Sequence, residues 1–80
     1  MTVTALLFAS YADAVGRRNV PLELPDGATV RDAVAEVRRL PGGDSLPQHP
    51  LVAVNESYAD AGHVLQRGDE LALIPPVAGG

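Results

Sequence analysis

Gly68-Asp69-Glu70-Leu71-Ala72-Leu73-Ile74-Pro75-Pro76-Val77-Ala78-Gly79-Gly80 runs from a tight turn through a strand into a tail. Arg67-Gly68-Asp69 reads as the turn and Glu70–Ile74 as the strand. Two prolines then stop the sheet, because proline has no N–H to give to a ladder. The residues after Ile74 are small and uncharged, and they finish in two glycines. Extended at about 3.3–3.6 Å per residue, they reach on the order of 20 Å. The expected organisation is a folded domain over residues 1–74 and an extended, flexible tail over residues 75–80.

Within that last strand Leu71 and Leu73 share one face, and Ala72 and Ile74 the other. The opening stretch Thr2–Phe8 alternates in the same way, with Val3, Ala5 and Leu7 on one side and Thr4, Leu6 and Phe8 on the other. A short helical turn follows, with Ser10 as its expected N-cap and Gly16 as its stop. Val20–Leu24 reads as a second strand, and Pro21 marks it as an edge. After the turn Pro25-Asp26-Gly27, Thr29 caps a helix over Val30–Leu40, with Asp32 favourable in its first turn. Its apolar stripe is Val30, Ala33, Val34, Val37 and Leu40. Arg38 and Arg39 suit its last turn, and Pro41-Gly42-Gly43 ends it. Asp44–Pro50 is a loop, Leu51–Asn55 a third strand, and Asn55-Glu56 a turn into a short extended piece at Ser57–Ala59. His63–Leu65 then leads back to the final turn.

This order predicts an α+β fold of the β-grasp kind, a mixed sheet of four or five strands covered on one face by one main helix. If the helix lies on Val3, Ala5, Leu7, Leu71 and Leu73, then Leu6, Phe8 and Ile74 face the other way without a cover. Fully burying a Phe or Ile is worth roughly 1.5–3 kcal/mol. An uncovered apolar patch of this kind is a candidate docking site.

Composition narrows the chemistry. Eighty residues, 46% of them apolar, make one core. No apolar run approaches the roughly 18 residues that span a bilayer, and the first residues lack signal-peptide character, so a cytoplasmic location is expected. The net charge of −4 argues against nucleic acid as a partner. There is no cysteine, and all six positive side chains are arginine. Disulfides, thiolate metal sites, cysteine nucleophiles and lysine Schiff bases are thereby excluded. His49 and His63 lack metal-ligand spacing, and Ser10, Ser45 and Ser57 lack a nucleophile elbow. Asp26, Asp32, Glu36, Asp69 and Glu70 read as caps and solvated turns. Gly42-Gly43 has no phosphate-loop lysine. No autonomous active site or metal site assembles from this set, which leaves the main-chain carboxylate of Gly80 as the candidate reactive group, the alternative being a frayed glycine end.

The ending Gly68-Asp69-Glu70 through Pro75-Pro76-Val77-Ala78-Gly79-Gly80 resembles the MoaD/ThiS family of sulfur carriers, whose MoaD branch is the small subunit of molybdopterin synthase. Leu7-Phe8-Ala9 with its short helix to Gly16, and Val52-Ala53-Val54-Asn55, fit the same pattern. The resemblance implies a ubiquitin-like β-grasp fold and a non-catalytic, sulfur-donating subunit of a heteromeric transferase. It further implies that Gly80 is adenylated with ATP by an E1-like adenylyltransferase. A persulfide donor then converts it to a thiocarboxylate, which gives its sulfur to cyclic pyranopterin monophosphate in the large subunit, within a heterotetramer. No permanently bound cofactor or metal is implied. Phe8, Tyr58 and Ile74, followed by Pro75, Pro76, Val77, Ala78 and Gly79, are the implied partner contacts. Carriers for thiamin, cysteine or tRNA thiolation, and protein modifiers, share the same fold and tail.

Overall fold

First and last strands lie side by side and parallel, and the other elements are arranged around that pair. The computed structural model describes residues 1–76. Its elements are β1 (Thr2–Leu7), α1 (Ala9–Val15), β2 (Asn19–Glu23), α2 (Val30–Arg38), a single 3-10 turn (Gly43–Ser45), β3 (Leu51–Val54), β4 (Ser57–Tyr58) and β5 (Glu70–Ile74). They build one five-stranded mixed sheet in the order β2-β1-β5-β3-β4. β5 is central, parallel to β1 and antiparallel to β3. Pro21 lies on the edge strand β2, opposite Thr4, as the sequence predicts. The tail residues Val77, Ala78, Gly79 and Gly80 fall outside the described residues.

Strand alternation sets the core. Val3, Ala5 and Leu7 of β1 and Leu71 and Leu73 of β5 are all at most 2% exposed. The helix α2 covers them with Val30, Ala33, Val34 and Val37, the predicted stripe. Its N-terminus carries a complete capping box. Thr29 Oγ1 accepts from the Asp32 N–H, and Asp32 Oδ2 accepts from the Thr29 N–H at 2.9 Å. The helix ends at Arg38 rather than Leu40, and Arg39 is its C-cap. One more turn-like hydrogen bond, from the Leu40 N–H to the Val37 carbonyl, carries the chain into Pro41.

Three expectations need correction. Ser10 is not the cap of the first helix: Phe8 holds that position, with no side-chain cap bond. Ala9, at φ 47, turns the chain straight from strand into helix, so α1 begins before Ser10. The helix is more than a surface turn, since Tyr11 is buried in the core. Asp69 is not a solvated turn residue either. It is 8% exposed, and its carboxylate accepts from Asn55 Nδ2 at 2.9 Å and from the Gln66 N–H at 2.7 Å. The β3–β4 hairpin and the turn before β5 are joined through that side chain. The His63–Leu65 stretch also does more than connect. Val64 bridges to Thr29, and the buried Leu65 gives its N–H to the Ala28 carbonyl at 2.8 Å.

At the base of the sheet Glu23 gathers two neighbours. Thr2 Oγ1 donates to Glu23 Oε2 at 2.9 Å, and the Met1 ammonium lies 3.3 Å from Oε1. The Thr2 hydroxyl first, then the ammonium, hold this carboxyl below the usual carboxylate range. A carboxyl depressed in the folded state stabilises above its unfolded pKa, and that contribution disappears as pH falls through the folded value. Glu23→Gln is therefore expected to be less stable than the parent at neutral pH. The difference should close below the carboxylate range, as read from urea midpoints in a pH series.

Candidate functional site

The face of the sheet away from α2 is divided in two. Register places Thr2 beside Glu23, and Thr4 between Pro21 and Glu70, so one half is polar. In the other half Leu6 lies beside Ala72, Ala72 beside Ala53, and Ala53 beside Tyr58. Leu51 pairs with Ile74 in the next row. This half is apolar apart from Asn19, which pairs with Leu6 on the edge strand. Phe8 stands at its margin, 48% exposed, while Tyr58 is 73% and Leu51 52% exposed. Leu6 and Ile74 are half-buried.

The sequence placed Leu6, Phe8 and Ile74 on an uncovered face, and the strand register puts Leu6 and Ile74 there with Tyr58. Pro75, half-buried, and Pro76, exposed, continue from the same end of β5. Leu51 was missed. Its alternation with Val52 and Val54 carried the signal, but only the pairing with Ile74 assigns the face. A hollow of about 410 Å³ adjoins the patch, lined by Leu6, Phe8, Ala9, Asp13, Arg18 and Asn19. It gives the apolar surface a polar rim, an arrangement common to protein interfaces.

Neither histidine belongs to this face. His63 offers its backbone carbonyl to the Val30 N–H at 3.0 Å, and His49 lies exposed beside α2. Among the described residues no group of three or more His, Cys, Asp or Glu side chains could hold a metal ion. No helix among them is long and apolar enough to cross a membrane. What this surface can do is bind, with the chain leaving β5 at its edge.

Known proteins share this sequence and fold. The ThiS family profile matches residues 5–80. A molybdopterin synthase sulfur carrier subunit of Arabidopsis thaliana is 33% identical, over 98% of this chain and 82% of its own length. Small archaeal modifier protein 1 of Haloferax volcanii is 40% identical, over 92% of this chain and 95% of its own. A crystal structure of that modifier superposes with a TM-score of 0.88 at 37% identity, covering 100% of both chains. With its ubiquitin-like β-grasp architecture, this chain belongs to the ThiS family.

Proposed function

We propose that this chain is the sulfur-carrier small subunit of a molybdopterin synthase. In this reading the Gly80 carboxylate attacks the α-phosphate of ATP in an E1-like adenylyltransferase, releasing pyrophosphate. The outer sulfur of a persulfide donor then displaces AMP to form an acyl disulfide, and a second thiol of the donor cleaves that bond, becoming a disulfide itself and leaving a C-terminal thiocarboxylate. The tail, with Val77, Ala78 and Gly79, enters the large synthase subunit, and the sulfur passes to cyclic pyranopterin monophosphate. Two such transfers supply the dithiolene. ATP serves the activating partner, and this chain retains no cofactor. The observation that carries the proposal is the coincidence of the apolar half-face with the end of β5 from which the tail departs. Several relatives named as sulfur carrier subunits support it.

Intact mass tests the proposal. Incubation with a cognate adenylyltransferase, ATP and a sulfur source should raise the mass by about one sulfur-for-oxygen exchange, as activated-carboxylate chemistry requires. An unchanged mass sinks the carrier reading. Adding the large subunit and the pterin precursor should then return the carrier to its starting mass and yield the dithiolene product.

A second reading, attachment of Gly80 to lysines of other proteins, is favoured by the 40% identity to an archaeal modifier. Lysine-linked adducts in cell extracts would support it. Under the first reading Phe8→Ala weakens large-subunit binding at least about tenfold, as loss of an interface aromatic does. Half exposed, Phe8 contributes little to folding, so stability should change by about 1 kcal/mol or less. Calorimetric titration beside urea unfolding separates the two effects.

A further inference from the structure

The arginines of α2 are distributed unlike the other charges of this acidic chain. Both carboxylates of the helix are already engaged. Asp32 accepts from the Thr29 N–H and hydroxyl at 2.9 and 3.2 Å, and Glu36 pairs with Arg39 at 3.3 Å. No carboxylate among the described residues comes within 4 Å of Arg31 or Arg38. Arg38 uses Nε to donate to the Leu46 carbonyl at 2.9 Å, and among the described residues no bond occupies its terminal nitrogens. Both arginines line one groove of about 250 Å³, together with Val34, Ala35, Gln48 and His49. A recess of about 130 Å³ opens from it, floored by Val34, Pro50, Val52 and Ala59. That is close to the space of about 150 Å³ that holds a benzene-sized apolar group.

The groove therefore has two arginines with no carboxylate partner among the described residues and an apolar recess beside them, in a protein of net charge −4. Arg31 and Arg38 are seven residues apart, two turns along one helix face and about 10.5 Å in rise. A polyproline-II segment repeats every three residues, about 9.3 Å. Carboxylates three positions apart on such a segment match the arginine spacing. An apolar side chain between them is placed to enter the recess.

We propose that the groove between α2 and the Gln48–Pro50 segment is a second docking surface, which takes an extended acidic segment of a partner protein. Two of the segment's carboxylates pair with Arg31 and Arg38, and one aliphatic side chain fills the recess over Val34. Because α2 covers the opposite side of the sheet from Leu6, Ile74 and Tyr58, this contact leaves the apolar half-face and the tail free. A partner bound here holds the carrier while another engages its terminus. The inference does not depend on which chemistry Gly80 performs.

An acetylated, amidated Glu-Pro-Leu-Glu peptide titrated into the ¹⁵N-labelled full chain tests it. Amide shifts are expected at residues 31–38 and 48–49, with the resonances of Leu6, Phe8 and Ile74 unmoved. Binding should weaken several-fold between about 0.1 and 1 M salt, as the screening length falls from about 10 to about 3 Å. The Gln-Pro-Leu-Gln analogue should bind at least tenfold more weakly. Arg31→Glu should do the same to the parent peptide. That side chain makes no hydrogen bond or ion pair among the described residues, so the variant keeps its fold, which its own spectrum checks. Any of these outcomes overturns the proposal: no shifts, shifts confined to the Phe8 face, equal binding of the neutral peptide, or undiminished binding by Arg31→Glu. Concentration-dependent shifts at the groove without peptide also overturn it, since a second copy would then be the occupant.

Discussion

Deleting Gly80 is expected to abolish sulfur loading while leaving the folded domain as stable as before. The reactive group proposed is a main-chain carboxylate, so no side-chain substitution elsewhere reproduces the loss. Without Gly80 the carboxylate moves back to Gly79, about 3.3–3.6 Å short of its position in the full-length tail. A displacement of even about 1 Å can cost a hundredfold in reactions that rest on positioning. The mass increase with adenylyltransferase, ATP and sulfur source should therefore vanish. The β5 ladder ends at Ile74, and every core residue among those described lies before it. Melting temperature should consequently shift by less than a degree or two, on the scale of a surface change. A variant that still gains sulfur would move the chemistry away from Gly80. One that loads normally but melts far lower would make the terminus structural.

Gly43→Ala is expected to destabilise the fold strongly. Gly43 is buried where the chain leaves α2, and it donates its N–H to the Leu40 carbonyl at 2.7 Å. A Cβ built there collides with the carbonyl oxygen of Val37 and crowds the Arg38 backbone. Those atoms are main chain of α2, so no rotamer change relieves the clash. Val37 is 0% exposed and central to the core, which ties the shift to the packing under α2. Overpacking of this kind costs on the order of 3 kcal/mol, a large part of the roughly 5–15 kcal/mol that holds a domain together. The urea midpoint should fall by about 2 M. Gly62→Ala is the control. Nothing lies within 4 Å of its added Cβ and its φ is not positive, so the same substitution should be neutral or slightly stabilising. Equal effects at the two sites would refute the steric account.

How much of this was readable beforehand depends on the range of the interaction. The helix α2 was legible because its signals are local: Thr29 and Asp32 are three residues apart, and the stripe from Val30 to Val37 repeats at helical spacing. Period-two alternation likewise exposed Leu6 and Ile74, since each strand carries its own facing. Tyr58 entered only through family resemblance, and the pairing with Ala53 is what puts it on the same face. Leu51 and Asp69 stayed hidden for a common reason. The face of Leu51 follows from pairing with Ile74, 23 positions away, and the burial of Asp69 from its bond to Asn55, 14 positions away. Composition assigned Asp69 to water because a carboxylate at a turn usually is solvated. The exception arises where the β3–β4 hairpin turn and the turn before β5 share one acceptor. The cap of α1 was misread because Ser10 has the right chemistry one step too late. Strand β1 delivers Phe8 to that position, and packing of Tyr11 outweighs the missing side-chain bond.

The central place of β5 has a mechanical consequence. A partner that draws the tail into a narrow channel pulls along the axis of that strand, starting at Pro75. β5 is held on one side by β1 and on the other by β3, so the load falls on both ladders in shear and their hydrogen bonds resist together. Had the tail followed an edge strand, the same pull could have peeled the ladder apart one bond at a time. A pull on the chain's end would thus be borne by the part of the sheet least inclined to open.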